Sequence, residues 1–302
     1  MDLLTLKSWS ADDIAATVRE GFEIKAHPER YRDALSSKVL AMLFQKTSTR
    51  TRCGFEVGMA QMGGHALYLD WRSTNFVLAD LKDEAQILSR YADGIVARML
   101  RHEDLLELGA GSEVPLINGC CDRYHPCQAL GDLMTISEAR ESVEGAHLVY
   151  VGMRNNVCNS LIVACTKSGM RITAVTPMAN EPSEDAALIA DAQKTGLYEE
   201  TLELDRVVAN ADFLYTDTWV DMEFFLDPKF EEKKKRRIEE FTPYQINTDL
   251  LKKTDAKVLH CLPAHKGYEV TAEVVESERW IAVDQAENRL HIQKAILNRL
   301  LG

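Results

Sequence analysis

Short apolar, β-branched runs alternate with amphipathic stretches along most of this chain, and that alternation restricts the fold more than any other feature. Val39 to Phe44, Gly94 to Ala97, Val114 to Asn118, His147 to Val151, Arg171 to Thr176, Phe213 to Thr216 and Val258 to Leu262 read as strands. Arg52 to Gln61, Lys82 to Tyr91, Gln128 to Ala139, Ser160 to Ser168 and Pro182 to Gln193 read as helices between them. Near-continuous apolar strands separated by helices imply parallel sheets covered on both faces, hence an α/β class. At 302 residues there is room for two such cores. The expectation is therefore two domains, each with a central parallel sheet flanked by helices. The boundary falls near residue 140, because a new strand opens at His147 after Gly145. Residues 1–140 and 141–284 form the domains, and 285–302, with apolar residues at helical spacing, forms a helix that packs back on the first.

Charge narrows the classes of partner. A formal net charge of −12 argues against a nucleic-acid surface, which draws its affinity from cations that neutralise phosphates. Apolar stretches such as Val39 to Phe44 fall far short of the ~20 residues of a membrane span. Met1-Asp2 opens no basic-then-apolar signal, so a cytoplasmic location is expected. Seven scattered cysteines without a C-x-x-C pair read as reduced, mostly buried thiols. The basic run Lys233 to Arg237 after Glu231 and Glu232 reads as a solvated helix face.

An anion pocket is written into Ser48-Thr49-Arg50-Thr51-Arg52, which follows a strand and opens a helix. Hydroxyls at a helix start cap free N–H groups, those groups and the helix dipole attract anions, and guanidinium forks suit phosphate. An ordinary cap beside two surface arginines is the competing reading. The segment lacks G-x-x-x-x-G-K-[ST], and no G-x-G-x-x-G follows a strand, so nucleotide binding loses its usual support. His125-Pro126-Cys127-Gln128 stands at a second helix start, where His125 and Gln128 face one space, suited to a polarised carbonyl and an amide, or to purely structural bonds. Arg98 ends a strand. Strand ends farther along carry Asn155-Asn156, Asp217 and His260-Cys261-Leu262, positions where ligands collect in open α/β sheets. A metal site from His125, Cys127, His260 and Cys261 lacks usual zinc spacing, so no metal is expected.

Six segments in order, S-T-R-T-R, H-P-C-Q-A-L, R-N-N-x-x-N-S-L, T-D-T-W, H-C-L-P-A-H and E-N-R-L-H, resemble the aspartate/ornithine carbamoyltransferase family, ornithine branch, from about residue 36 to the C-terminus. The resemblance implies a carbamoyl-phosphate domain, an acceptor domain, and a homotrimer or multiple of trimers with active sites between subunits. It implies that Ser48, Thr49, Arg50 and Thr51 hold phosphate. Arg98, His125 and Gln128 would hold the carbamoyl end, Leu262 and Arg289 would also bind carbamoyl phosphate, and Asn156, Asp217, Asp221, Met222 and Cys261 would bind the acceptor. Thr51, Arg98, His125 and Cys261 would serve catalysis, with no metal or organic cofactor. The activity implied is carbamoyl transfer from carbamoyl phosphate to L-ornithine, giving citrulline and phosphate. Alternatives are an N-acylated ornithine or other amine as acceptor, or a non-catalytic carbamoyl-phosphate-binding relative. Two segments depart from the branch. Val220-Asp221-Met222-Glu223 stands where Ser-Met-Gly follows T-D-x-W, and Val77-Leu78-Ala79-Asp80 where a polar Lys/Arg-Gly-Glu-Ser sequence is usual. Trp71 and Phe76 before the latter either shape an acceptor pocket for an acylated amine or pack as interface residues.

Overall fold

The computed structural model describes residues 1–220 and 228–302. Two compact units divide the chain, one formed by residues 1–135 with 287–302 and the other by 136–286. Both hold a wholly parallel sheet, as the α/β reading expects.

In the first unit the strands β1 (Val39–Phe44), β2 (His65–Asp70), β3 (Gly94–Arg98) and β4 (Leu116–Cys120) are ordered β2-β1-β3-β4. Central β1 is buried from Leu40 to Phe44, consistent with its unbroken apolar sequence, whereas edge strand β2 alternates exposed and half-buried residues. Ile95, Ala97, Leu105, Leu108 and Leu116 build a core over one face of the sheet. Phe44 pairs with Arg98 and Arg98 with Cys120, so three strand ends stop at one level. The register shifts between Ala97 and Arg98, which pair with Asn118 and Cys120 and so leave Gly119 of β4 as the extra residue. Gln45 ties two of these ends together: its N–H donates to Arg98 O at 2.9 Å and its side-chain oxygen accepts Leu100 N–H at 2.6 Å.

The second unit contains β5 (His147–Val151), β6 (Arg171–Val175), β7 (Tyr198–Glu200), β8 (Phe213–Thr216) and β9 (Lys257–His260), ordered β7-β6-β5-β8-β9. Val151 pairs with Thr216 and Thr216 with His260, which sets Gly152, Asp217 and Cys261 one step beyond three adjacent strand ends. The loop after each strand therefore starts from a common line.

Helix boundaries carry the chemistry. Helix Thr49–Gln61 begins three residues before the expected start, so Arg50 and Arg52 lie in its first turn and Ser48 is its N-cap. Asn155 caps helix Asn156–Lys167, accepting the N–H groups of Val157 at 3.0 Å and Cys158 at 3.1 Å. Helix Ala282–Leu301 opens three residues earlier than expected. In the first unit its buried Gln293 and Lys294 lie over Gly54 and Gly58 of helix Thr49–Gln61, where a larger side chain would meet them. The basic run falls on helix Glu231–Phe241, as a helix face, although Arg237 is buried rather than solvated and donates to Trp219 O at 3.3 Å. Among the described residues, no helix is long and apolar enough to cross a membrane.

Candidate functional site

The first unit concentrates cations around two helix starts. Ser48 Oγ accepts the Thr51 N–H at 3.4 Å, and Thr51 itself is buried. Arg289 is also buried. Its Nη2 donates to Thr51 Oγ1 at 3.2 Å and its Nη1 donates to Gln128 Oε1. Arg98 Nη1 donates to Gly119 O at 3.3 Å, while the Nε groups of Arg98 and Arg289 are buried with no hydrogen-bond partner among the described residues. Such donors are costly to bury unused, and an anion is the chemistry that uses them. His125 immediately precedes helix Pro126–Arg140, and Gln128 lies in its first turn. Gln128 Nε2 donates to Asp132 Oδ1 at 2.7 Å, four residues on and on the same face.

Electrostatics fix protonation states here. Burial, then the charges of Arg289, Arg98, Lys46 and Arg50, hold the His125 imidazole well below its ordinary value. At neutral pH it is an uncharged ring with one N–H to donate. Burial also pushes the Cys127 thiol up to about 12, and its Sγ–H donates to Asn118 O at 3.4 Å. Cys127 is thus inert packing.

Arg52 is turned elsewhere. Its Nε donates to Glu56 Oε1 at 3.0 Å and its guanidinium lies 3.7 Å from the centroid of the Tyr68 ring. The pair of arginine forks expected from the sequence therefore reduces to Arg50. Trp71 and Phe76 face each other at 5.8 Å and pack against the core of this unit, with Phe76 buried. Arg72 is paired with Asp70 at 2.7 Å, which lowers the Asp70 carboxyl to about 2.

The second unit gathers an acid, a thiol and amides. Buried Asp217 accepts Asn155 Nδ2 at 2.7 Å on one oxygen, and Cys261 Sγ and Thr218 N, each at 2.8 Å, on the other. Register explains the meeting, because Thr216 and His260 are paired and each is followed by one of the two residues. Leu262 takes a left-handed φ of 57°, rare for a residue with a Cβ. Its N–H donates to His260 Nδ1 at 2.7 Å, which leaves the His260 proton on Nε2 to donate to Glu269 Oε1 at 3.2 Å. The side chains of His260 and Glu269 are fully buried, and Glu269 Oε1 also accepts His265 N–H at 2.6 Å. Asp217, His260 and Cys261 each offer one ligand atom within 4.8 Å of the others. Both His260 nitrogens and the Cys261 thiol are already engaged in hydrogen bonds, so this cluster is self-satisfied.

A carbamoyl-phosphate binding domain model of aspartate/ornithine carbamoyltransferases matches residues 1–138, and the corresponding Asp/Orn binding domain matches residues 144–300. The chain belongs to the aspartate/ornithine carbamoyltransferase family. An ornithine carbamoyltransferase of Pyrococcus horikoshii is 42% identical over 309 residues, covering 100% of this chain and 96% of the relative. The solved ornithine carbamoyltransferase of Pyrococcus furiosus superimposes with a TM-score of 0.90 at 41% identity, covering 100% of this chain and 97% of that one. An N-acetyl-L-ornithine transcarbamylase mutant complexed with PALAO gives 0.86 at 27% identity, covering 99% of each chain.

Within this carbamoyltransferase, the residues expected from the sequence form two sets. Thr51, Gln128 and Arg289 are directly linked in the first unit, where Arg50, Arg98 and His125 also lie; Asp217 and Cys261 are linked in the second, which carries Leu262. Asn156 occupies the first turn of its helix, but its neighbour Asn155 is the residue bonded to Asp217. Asp221 and Met222 lie outside the described residues. Sequence reasoning missed Asp132 and the Glu269 partner of His260, and of the two strand-end asparagines it chose Asn156. The repeated Asn155-Asn156 ahead of Ser160 signalled an amide cap without saying which one turns inward.

Proposed function

We propose that this chain is an ornithine carbamoyltransferase: it moves the carbamoyl group of carbamoyl phosphate to the amine of L-ornithine, giving citrulline and phosphate. The observation that carries the reading is the linked Thr51–Arg289–Gln128 triad beside Arg98 and a neutral His125, in a chain 42% identical throughout its length to relatives named for ornithine.

In this reading the first unit is the carbamoyl-phosphate domain. Ser48, Thr49, Arg50 and Thr51 hold the phosphate, with N–H groups of the helix start supplementing the guanidinium. Arg98, His125 and Thr51 donate to the carbamoyl oxygen as it gains charge. A buried donor in that position contributes about 10²–10³ in rate. A neutral imidazole suits the role, since it donates one hydrogen bond without adding charge to a site already rich in it. Gln128 Oε1 accepts from the carbamoyl NH2, and Leu262 is also assigned to carbamoyl phosphate. Arg289 braces Gln128 and Thr51.

The second unit is the acceptor domain, with Asp217, Asn156, Asp221, Met222 and Cys261 on the acceptor. Asp217 favours an ammonium-bearing side chain, and its carboxylate, held by the Cys261 thiol, receives the proton the amine must lose before attack. Carbon–nitrogen bond formation and departure of phosphate then complete the transfer, with no metal or organic cofactor assigned a role. We further assign the protein to the cytoplasm and to a homotrimer or multiple of trimers, which light scattering checks against the 34.0 kDa chain.

An N-acylated ornithine is the second reading, motivated by Trp71 and Phe76 ahead of the altered segment Val77-Leu78-Ala79-Asp80. The structural relative named for N-acetyl-L-ornithine is only 27% identical, which favours ornithine. Purified protein with carbamoyl phosphate and ornithine is expected to release phosphate and citrulline in equal amounts. Release with N-acetylornithine but not with ornithine would shift the acceptor, and release with no amine of a panel would reject turnover altogether.

A further inference from the structure

We propose that Asp132 sets the substrate selectivity of the carbamoyl subsite by locking the orientation of the Gln128 amide, so that the site requires an NH2 group on the acyl carbon. The inference rests on the carbamoyl-phosphate reading above and goes beyond it, because no part of that reading gives Asp132 a task.

An amide side chain has two faces of opposite character, a carbonyl that accepts and an NH2 that donates. Which one faces a ligand decides what the ligand must offer. Gln128 is 2% exposed and Asp132 fully buried, so neither exchanges partners with bulk water. Gln128 stands between a group that can only donate, the Arg289 guanidinium, and a carboxylate, which when ionised can only accept. Only one amide orientation satisfies both neighbours: Nε2 to Asp132 and Oε1 to Arg289. The reverse would aim NH2 at a guanidinium and a carbonyl at a carboxylate. Oε1 retains a second lone pair, and a carbamoyl NH2 can donate to it. A methyl group in that place leaves it unused.

The lock is built into the helix. Gln128 and Asp132 are four residues apart in helix Pro126–Arg140, so their side chains meet on one face without any loop to adjust. Gly131, between them in sequence, leaves room for the Arg289 stem, since a Cβ there would stand 3.0 Å from Arg289 Cδ. Asp132 also offsets part of the Arg289 charge. A test must therefore separate an orienting hydrogen bond from a counter-charge.

Two substitutions do so, because both remove the charge and only one removes the acceptor. Asp132→Asn keeps an oxygen able to accept from Nε2, whereas Asp132→Leu, of similar shape, keeps none. Binding is measured by calorimetry for inorganic phosphate and for two ligands of equal charge, phosphonoacetamide and acetonylphosphonate, which differ by NH2 against CH3. Wild type is expected to prefer the amide, and Asp132→Asn to keep most of that preference. Asp132→Leu is expected to lose about 10-fold of it, the scale of one forfeited hydrogen bond, while phosphate affinity changes less than about 3-fold. Equal loss in both variants, or an unchanged preference in Asp132→Leu, overturns the orienting role and leaves the carbamoyl-phosphate reading intact. A wild type with no preference for the amide overturns that reading, and this inference with it. Should Asp132→Leu fail to fold, the 15N side-chain amide signal of wild-type Gln128 decides. Its protons are expected to stay protected from exchange, and nearly unshifted, when phosphonoacetamide binds; protons that shift as donors to the ligand refute the lock.

Discussion

The two units put opposite chemistry on similar scaffolds. Each is a parallel sheet with its working residues at the carboxyl ends of the strands, yet the first collects Arg50, Arg98 and Arg289 around a neutral His125, and the second collects Asp217 and Cys261 in a hydrogen-bonded set. The difference follows from what each is proposed to hold. An anion is met by charge and unspent N–H donors. An amine acceptor is met by a carboxylate whose position is fixed by Asn155, Thr218 and Cys261 before any ligand arrives. The same fold thus serves either task through the residues after its strands.

The contrast is sharpest for a single cation or acid removed. Arg98→Ala should lower kcat/KM by about 10³-fold, combining loss of a charged contact and of transition-state donation, read by steady-state phosphate release. Asp217→Asn should lower kcat/KM for ornithine by about 10²-fold while the calorimetric affinity for phosphonoacetamide stays within about 2-fold. If that affinity falls with it, the two sets are not separable and the comparison breaks. Cys261→Ser should cost about 10-fold in kcat/KM, because a hydroxyl can still donate to Asp217. Arg52→Ala should change kcat/KM by no more than about 2-fold, given its commitment to Glu56 and Tyr68; a loss approaching that of Arg98→Ala would restore it to the anion pocket.

Acid offers a further way to separate the halves. His125 in the first unit and His147 in the second are both held below the ordinary imidazole value, mainly by burial. A histidine lowered on folding takes up its proton more readily in the unfolded chain. Its stabilising contribution is therefore present above the unfolded value, about 6.5, and is lost as pH falls below it. The melting temperature should decline between about pH 6.5 and 5. Replacing His125 or His147 by Gln should flatten part of that decline, as scanning calorimetry across this pH range would read.

Much of this was legible in the chain, for identifiable reasons. β1, β5 and β8 match their expected bounds because strands buried on both faces spell unbroken apolar runs. β2 and β7 were not foreseen, and both are edge strands: His65–Asp70 is nowhere fully buried, and Tyr198–Glu200 has three residues with two exposed. An edge needs less apolar sequence, so it leaves a weaker trace. Helix starts were blurred in the same way, since Thr49 to Thr51 resemble a loop until Ser48 caps them. In the site, the helix-opening motifs exposed Thr51, His125 and Gln128. Asp132 gave no sign, because a carboxylate in an amphipathic helix ordinarily faces water. Its partners, Gln128 and through it Arg289, are known only once the chain has folded.

Arg289 gives the first unit a history in time. It braces Gln128 from 161 residues farther along the chain. At synthesis rates of about 5–20 residues per second, roughly 10–30 s pass between the two leaving the ribosome's catalytic centre. During that interval the chain lacks the guanidinium that spans Gln128 and Thr51, and Gly54 and Gly58 have no helix to lie over them. A growing chain therefore carries an unfinished anion pocket until its last helix is made, and a message cut short upstream of Arg289 yields a protein that cannot complete it.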